Sequence, residues 1–218
     1  MQPRPAAALR CDCGAPPRPR LLIVPGLNGS GPDHWQSWLQ GLHRGARRVE
    51  QRDWARADLP VWSARIDETL ADAGPGPWLA VAHSFGVLAL VDHLSRQPRS
   101  PVRAALLVAP ANPDRFDAGP ALPQQPPARP LTALLSDTDP WLPAPLARQW
   151  AARWGARCVD LGDAGHINTA AGYTMLPFAQ RWVQAGLRRL CAQRAGAAYA
   201  PREAAHSKAF VAAAGSAA

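Results

Sequence analysis

Residues 78–91 read Trp78-Leu79-Ala80-Val81-Ala82-His83-Ser84-Phe85-Gly86-Val87-Leu88-Ala89-Leu90-Val91. Trp78 to Ala82 is an apolar run of strand length. Phe85 to Leu94 is strongly apolar, as a helix packed against a sheet would be. Between them lies a small-x-Ser-x-Gly turn, the pattern of a sharp passage from strand to helix. Such a turn is tight, so the residues two before and two after the serine must be small. Gly86 meets this fully, and Ala82 stands where glycine is usual but keeps a small side chain. A serine so placed sits at a helix N-terminus, where aligned N–H groups favour developing negative charge. The plainer alternative is that Ser84 only caps the helix.

Outward from this stretch, short apolar runs alternate with amphipathic ones. Strands are expected at Leu21–Val24, 47–51, Trp78–Ala82, Val102–Ala109, Leu131–Leu135 and Arg157–Leu161. Helices are expected at 34–43, capped by Asp33, then at Val61–Ala73, Phe85–Leu94, Pro145–Trp154 and Tyr173–Leu190. Pro177 lies in the first turn of the last helix or marks its start. Fully apolar strands alternating with helices indicate a parallel sheet covered on both faces. The expected fold is α/β: a three-layer α/β/α sandwich on a mostly parallel six-stranded sheet. Ligands in such sheets bind beyond the carboxyl ends of the strands, so the loops there are where chemistry should be found.

Those loops carry a consistent set. Ser84 follows the third strand. Ser136-Asp137-Thr138-Asp139-Pro140-Trp141 follows the fifth, and Gly162-Asp163-Ala164-Gly165-His166 the sixth. Serine, aspartate and histidine occur in the chain order of the α/β-hydrolase triad. A serine hydroxyl is a poor nucleophile unless a base takes its proton, and the base needs an orienting acid. Order alone leaves Asp137 and Asp139 both open as that acid. Asp163 is a further rival, but it lies in the loop of His166 itself and reads as a turn residue.

Val24-Pro25-Gly26, His34-Trp35 with Trp38, Asp53-Trp54, Ala82-His83-Ser84-Phe85-Gly86, Ser136-x-x-Asp139-Pro140-Trp141 and Gly165-His166 occur in this order. Over residues 20–190 the chain resembles the small serine hydrolase family that includes retinoblastoma-binding protein nine and many bacterial relatives. The resemblance implies a compact α/β-hydrolase without a full lid domain. It implies Ser84 as nucleophile, His166 as base and Asp139 as acid, because in that family the acid directly precedes Pro-aromatic. Asp137 then reads as a turn residue. The oxyanion hole should use the Phe85 amide and one from the loop Gly26–Gly31, Leu27 first and Asn28 second. That Gly-rich loop lacks the spacing and the lysine of a phosphate-binding P-loop.

Composition limits the alternatives. The 218 residues are 47% hydrophobic and 18% charged, enough to build one domain with a substantial core. Formal charge is +8, half of it in residues 1–19 and 191–218. Those ends, Pro/Arg/Ala-rich and Ala-rich, read as disordered flanks of a domain at 20–190. Of the basic residues only Lys208 is lysine. Arg, Ala and Pro share GC-rich codons, so base composition explains the excess better than an anion-binding surface. The arginines form no stripe with interleaved aromatics, which argues against nucleic acid. No apolar run is long enough to span a membrane. The start lacks the apolar core of a secretory signal, so a cytoplasmic location is expected. Cys11, Cys13, Cys158 and Cys191 lack zinc or redox spacing and read as free thiols.

No histidine pair has metal-ligand spacing, so no metal and no cofactor is expected. His34 and Trp141 are candidate substrate contacts at the mouth of the site. His83 reads as structural, and His43, His93 and His206 as solvent-facing. Most of the nine tryptophans fall at apolar helical positions and read as core. Residues 110–130, Pro-rich, are expected to cover part of the site but are too few for a helical lid. The expected function is hydrolysis of small acyl substrates, esters first and amides or thioesters next, through an acyl-enzyme. The alternative is a non-catalytic binding module on the same fold. The residues point to a small-molecule acyl substrate and to no particular protein partner.

Overall fold

The computed structural model describes residues 17–199. Six strands form one sheet: β1 (Arg20–Val24), β2 (Arg47–Arg48), β3 (Trp78–Ser84), β4 (Val102–Pro110), β5 (Leu131–Leu135) and β6 (Arg157–Asp160). Their spatial order is β2-β1-β3-β4-β5-β6, and every neighbouring pair is parallel. The helices are α1 (Trp35–Gly41), α2 (Leu59–Asp72), α3 (Phe85–Arg96), α4 (Ala144–Arg153) and α5 (Pro177–Tyr199).

Alternation along the strands explains the layers. Leu22, Ala80, Ala82, Ala105 and Leu107 face Trp62 and Ile66 of α2 and Leu88 and Val91 of α3. Leu21, Ile23, Val81, Leu106 and Val108 face the other way, onto Trp35 and Leu39 of α1 and Ala179 and Val183 of α5. Both faces are therefore dry, which is why the strands read as unbroken apolar runs rather than alternating ones. The chain leaves β1 toward the β2 edge and returns through β3 on the other side. The loops after β1 and β3 thus diverge over a crevice, the place where such sheets bind ligands.

Several boundaries differ from the sequence reading. Asp33 does not cap α1; the cap is His34, whose Nδ1 accepts the Gln36 N–H at 3.1 Å. α2 starts two residues earlier than expected, because Asp58 accepts from the Val61 N–H and Pro60 suits the first turn. β2 has only Arg47 and Arg48, enough to pair the edge of β1. α5 begins at Pro177, one of the two starts the sequence left open, and runs to Tyr199, so residues 191–199, read as disordered tail, are helical. The rest of the expected disorder, 1–16 and 200–218, lies outside the described residues, as do Cys11, Cys13 and His206.

His93 is not solvent-facing. It is 1% exposed, with Nδ1 3.0 Å from Asp67 Oδ1 on α2 and Nε2 2.8 Å from Ser100 Oγ before β4. This bridge fastens α2 and α3 to the amino end of the sheet, opposite the crevice. Arg96 extends it to Asp92 and Ser63. Cys158 and Cys191 are free and exposed. Among the described residues no helix is long and apolar enough to cross a membrane.

Candidate active site

β3 drives Ser84 into the crevice through a strained turn. The pairing with β4 slips between His83 and Ser84, and Ser84 takes φ 53° and ψ −125°. A non-glycine residue there costs about 1–3 kcal/mol, which the surrounding packing must offset. Two close approaches make the turn possible. A Cβ on Gly86 would overlap the Pro25 carbonyl oxygen and lie 2.7 Å from that of Val24. A Cβ on Gly26 would lie 2.7 Å from the Ser84 Cβ. The loops after β1 and β3 can touch only because both positions are glycine. Ala82 is fully buried, so its small side chain suffices. Ser84 heads α3 but makes no side-chain capping bond. The capping alternative therefore fails, and the hydroxyl is left for another partner.

That partner is His166. Its Nε2 lies 2.9 Å from Ser84 Oγ, and its Nδ1 lies 3.0 and 2.9 Å from Asp139 Oδ1 and Oδ2. The Asp139 side chain is 5% exposed, and its Oδ1 also accepts the Trp141 N–H at 2.9 Å. The rival carboxylates are engaged elsewhere. Asp137 points outward to Arg148 at 2.7 Å, and Asp163 accepts from Thr138 Oγ1 at 2.6 Å.

The His166 loop is pinned from four sides. Ser136 Oγ accepts the Ala164 N–H, and Thr138 Oγ1 accepts the Gly165 N–H. His83 Nε2 lies 3.0 Å from the His166 carbonyl oxygen, and the Trp35 indole N–H donates to that of Ile167 at 2.8 Å. His83 is thus structural, as expected, yet it acts on the site by holding the backbone of His166.

His34, His83 and His166 stand in a row, with ring centroids 5.0 and 4.9 Å apart. Burial, helped by the Arg48 charge and then by His166, lowers the His34 pKa to about 4. Burial likewise holds His83 well below an ordinary imidazole, with His166 and His34 adding to it. Since His34 Nδ1 accepts from Gln36, its neutral ring carries the proton on Nε2. The linkage to stability has a definite sign. Unfolded imidazoles titrate near about 6.5, so below that pH the folded state binds fewer protons and loses stability. The melting temperature is expected to hold above pH of about 6.5 and to fall between there and about 4. His34→Asn keeps a capping side chain and removes one titrating ring, so its decline should be shallower. Calorimetry of both proteins across that range checks this.

The crevice opens into a cavity of about 550 Å³ that includes Ser84, His166, His34, Leu27, Asn28 and Trp141. Its size suits a small organic ligand. The Asn28 N–H is committed to the Trp54 carbonyl at 2.9 Å. This favours Leu27 over Asn28 as an amide donor and corrects the second choice made from position. Trp141 is 48% exposed at the rim. Segment 110–130 adds only two 3-10 turns, Pro113–Phe116 and Gly119–Ala121, and packs Phe116 on Phe85. It forms one wall and no lid domain.

Two contributors escape the sequence reading. Gln36 is fully buried; its Nε2 donates to the carbonyls of Val24 and Val81, and its Oε1 accepts from Ser30. It ties the β1 loop to the sheet. Arg48 does the same from outside, donating to the Ser30 carbonyl and Ser37 Oγ. The available signal is a glutamine beside Trp35 on the buried side of a short amphipathic helix.

A parallel α/β/α sheet with a serine on a strained β3–α3 turn, facing an aspartate from the loop after β5 and a histidine from the loop after β6, defines an α/β-hydrolase. Residues 21–185 match the family model described as Serine hydrolase, and the chain belongs to that family. It is similar to a YdeN-like hydrolase from Pectobacterium atrosepticum, at 32% identity over 79% of this chain and 92% of that one, with a TM-score of 0.74. The ydeN gene product of B. subtilis is 18% identical over 78% and 98%, TM-score 0.62. Esterase PE8 is 17% identical over 81% and 94%, TM-score 0.55. No curated protein matches the chain.

Proposed function

We propose that this hydrolase cleaves carboxylic esters of small molecules through an acyl-enzyme on Ser84. One observation carries the reading: the unbroken chain of hydrogen-bond distances from Ser84 Oγ through His166 to the buried Asp139. Membership of the Serine hydrolase family supports it, and a likeness in fold to a protein named as an esterase points to esters.

The steps follow from the residues. His166 Nε2 accepts the Ser84 proton as Oγ bonds to the acyl carbon, and the carbonyl π pair moves to oxygen. The Phe85 and Leu27 amides hold that oxyanion, and Asp139 steadies the imidazolium. The C–O bond to the alcohol then breaks, and the alcohol leaves with the proton from Nε2. Water, deprotonated by the same nitrogen, adds to the acyl carbon. The acid departs and Ser84 regains its proton. His34, which lines the cavity and whose ring is neutral at ordinary pH, is proposed as a donor to bound substrate through Nε2–H.

A fluorophosphonate probe tests the reading, with the adduct mapped by mass spectrometry on wild type beside Ser84→Ala. Labelling at Ser84 that vanishes in the variant is the expected result. An unlabelled but folded wild-type protein would overturn the proposal and turn attention to partner binding.

A further inference from the structure

Among the described residues, the lining of the crevice cavity contains no aspartate or glutamate and a single arginine, Arg115. Asp139 lies behind His166 and is already paired with it. Besides Ser84 and the three histidines of the row, the uncharged polar lining is Asn28, Asn112, Asn168 and Thr169. Arg115 comes from the 3-10 turn Pro113–Phe116, and its guanidinium lies over the Trp141 indole, 4.9 Å from the ring centroid. Trp141 follows Asp139 by two residues, so this contact joins the Pro-rich wall to the loop that carries the acid. Stacking holds the cation at the rim without neutralising it. Arg115 makes no ion pair within 4 Å among the described residues. Its neighbour Asp114 turns to Gly119, with Oδ1 3.4 Å from where a Cβ there would stand. The cavity thus carries one positioned, unneutralised cation and no opposing carboxylate on its walls.

We propose that the preferred substrates are esters bearing a carboxylate, and that Arg115, braced on Trp141, is the residue that selects them. The inference rests on the hydrolase reading above and adds the substrate class. A guanidinium offers a carboxylate two parallel N–H donors, and a rim charge also steers the anion toward the cavity. A neutral ester of equal length gains neither. Binding of this kind is the same in ground and transition states, so it lowers KM more than it raises kcat. Salt should weaken it, because Arg115 is exposed.

The test uses matched pairs that differ in the charge and in the methyl group that masks it. For a carboxylate on the acyl portion, the pairs are 4-nitrophenyl esters of glutaric and adipic acid, each as free acid and as methyl ester. For one on the alcohol portion, the pair is 4-acetoxybenzoate and its methyl ester. In at least one series the wild-type kcat/KM should favour the free acid by about tenfold or more, chiefly through KM. In Arg115→Gln that ratio should fall close to one, and Arg115→Lys should restore part of it. Raising sodium chloride to about 0.5 M should erode the wild-type ratio. A wild-type ratio at or below one in every series, or a ratio that Arg115→Gln leaves unchanged, overturns the inference. Fluorophosphonate labelling separates the two levels. Labelled Ser84 without the preference, or without turnover of any ester in the series, overturns this inference alone. Unlabelled Ser84 with no turnover overturns the hydrolase reading as well.

Discussion

Ser84→Ala is expected to lower ester turnover by about 10⁴-fold or more while leaving the fold intact. The reasons are separable. The hydroxyl is the only atom removed, and it makes no bond to the backbone of α3. Its single partner, His166 Nε2, borders the cavity and can turn to water. The strained φ of 53° is borne equally by alanine, so the turn gains and loses nothing by the change. Stability should therefore move by no more than about 1 kcal/mol, the usual worth of one hydrogen bond. Activity has no such reserve. Without Oγ no acyl-enzyme forms, and only the amide donors and binding remain to assist direct attack by water. Paired measurements of kcat on 4-nitrophenyl esters and of thermal unfolding decide the matter. Loss of turnover with an unchanged melting temperature assigns the role to the hydroxyl. Turnover within about tenfold of wild type would show that another group does the chemistry.

How far the residues alone lead to this site depends on the range of the interactions involved. β5 falls at the expected Leu131–Leu135, and the turn at Ser84 is where the small-x-Ser-x-Gly pattern puts it. Both are local: an apolar run bounded by breakers, and a steric rule about neighbours two residues away. The choice among Asp137, Asp139 and Asp163 is not local. All three lie in loops at one sheet edge, and their directions are set by Arg148, His166 and Thr138 respectively. Only the resemblance to a family singled out Asp139. His93 is buried against expectation because a histidine in a helix says nothing of the aspartate on α2 that meets it. The cap of α1 went to His34 because that ring, held against Trp35 and His83, already sits where the first turn needs an acceptor. Arg115 looked like one of many arginines. What sets it apart is the absence of carboxylates from the cavity lining among the described residues, and that appears only once the segment after β4 and the loop after β5 are brought face to face.

Asp139→Asn should reduce kcat/KM by about 10³–10⁴-fold, with Asp137→Asn as its control. The argument turns on the proton of His166. With a carboxylate at 2.9 Å, Nδ1 must be the protonated nitrogen, and Nε2 keeps the lone pair that faces Ser84. An asparagine of the same shape can present its NH₂ to Nδ1. The ring then accepts there and carries its proton on Nε2, where it can no longer take one from Ser84. The imidazolium formed during attack also loses its counter-charge. Size is unchanged, and the bond from the Trp141 N–H can still be accepted by the amide oxygen, so the loop has little cause to move. Asp137→Asn breaks only an exposed pair with Arg148, which is worth little in water. Its kcat/KM should stay within about twofold of wild type, since such a pair lies outside the cavity. The same contrast should appear in the rate of fluorophosphonate labelling at Ser84, which depends on the activated hydroxyl and needs no substrate. If the two variants fall equally, or if Asp137→Asn is the more damaged, the acid has been misassigned and the carboxylate facing Arg148 takes its place.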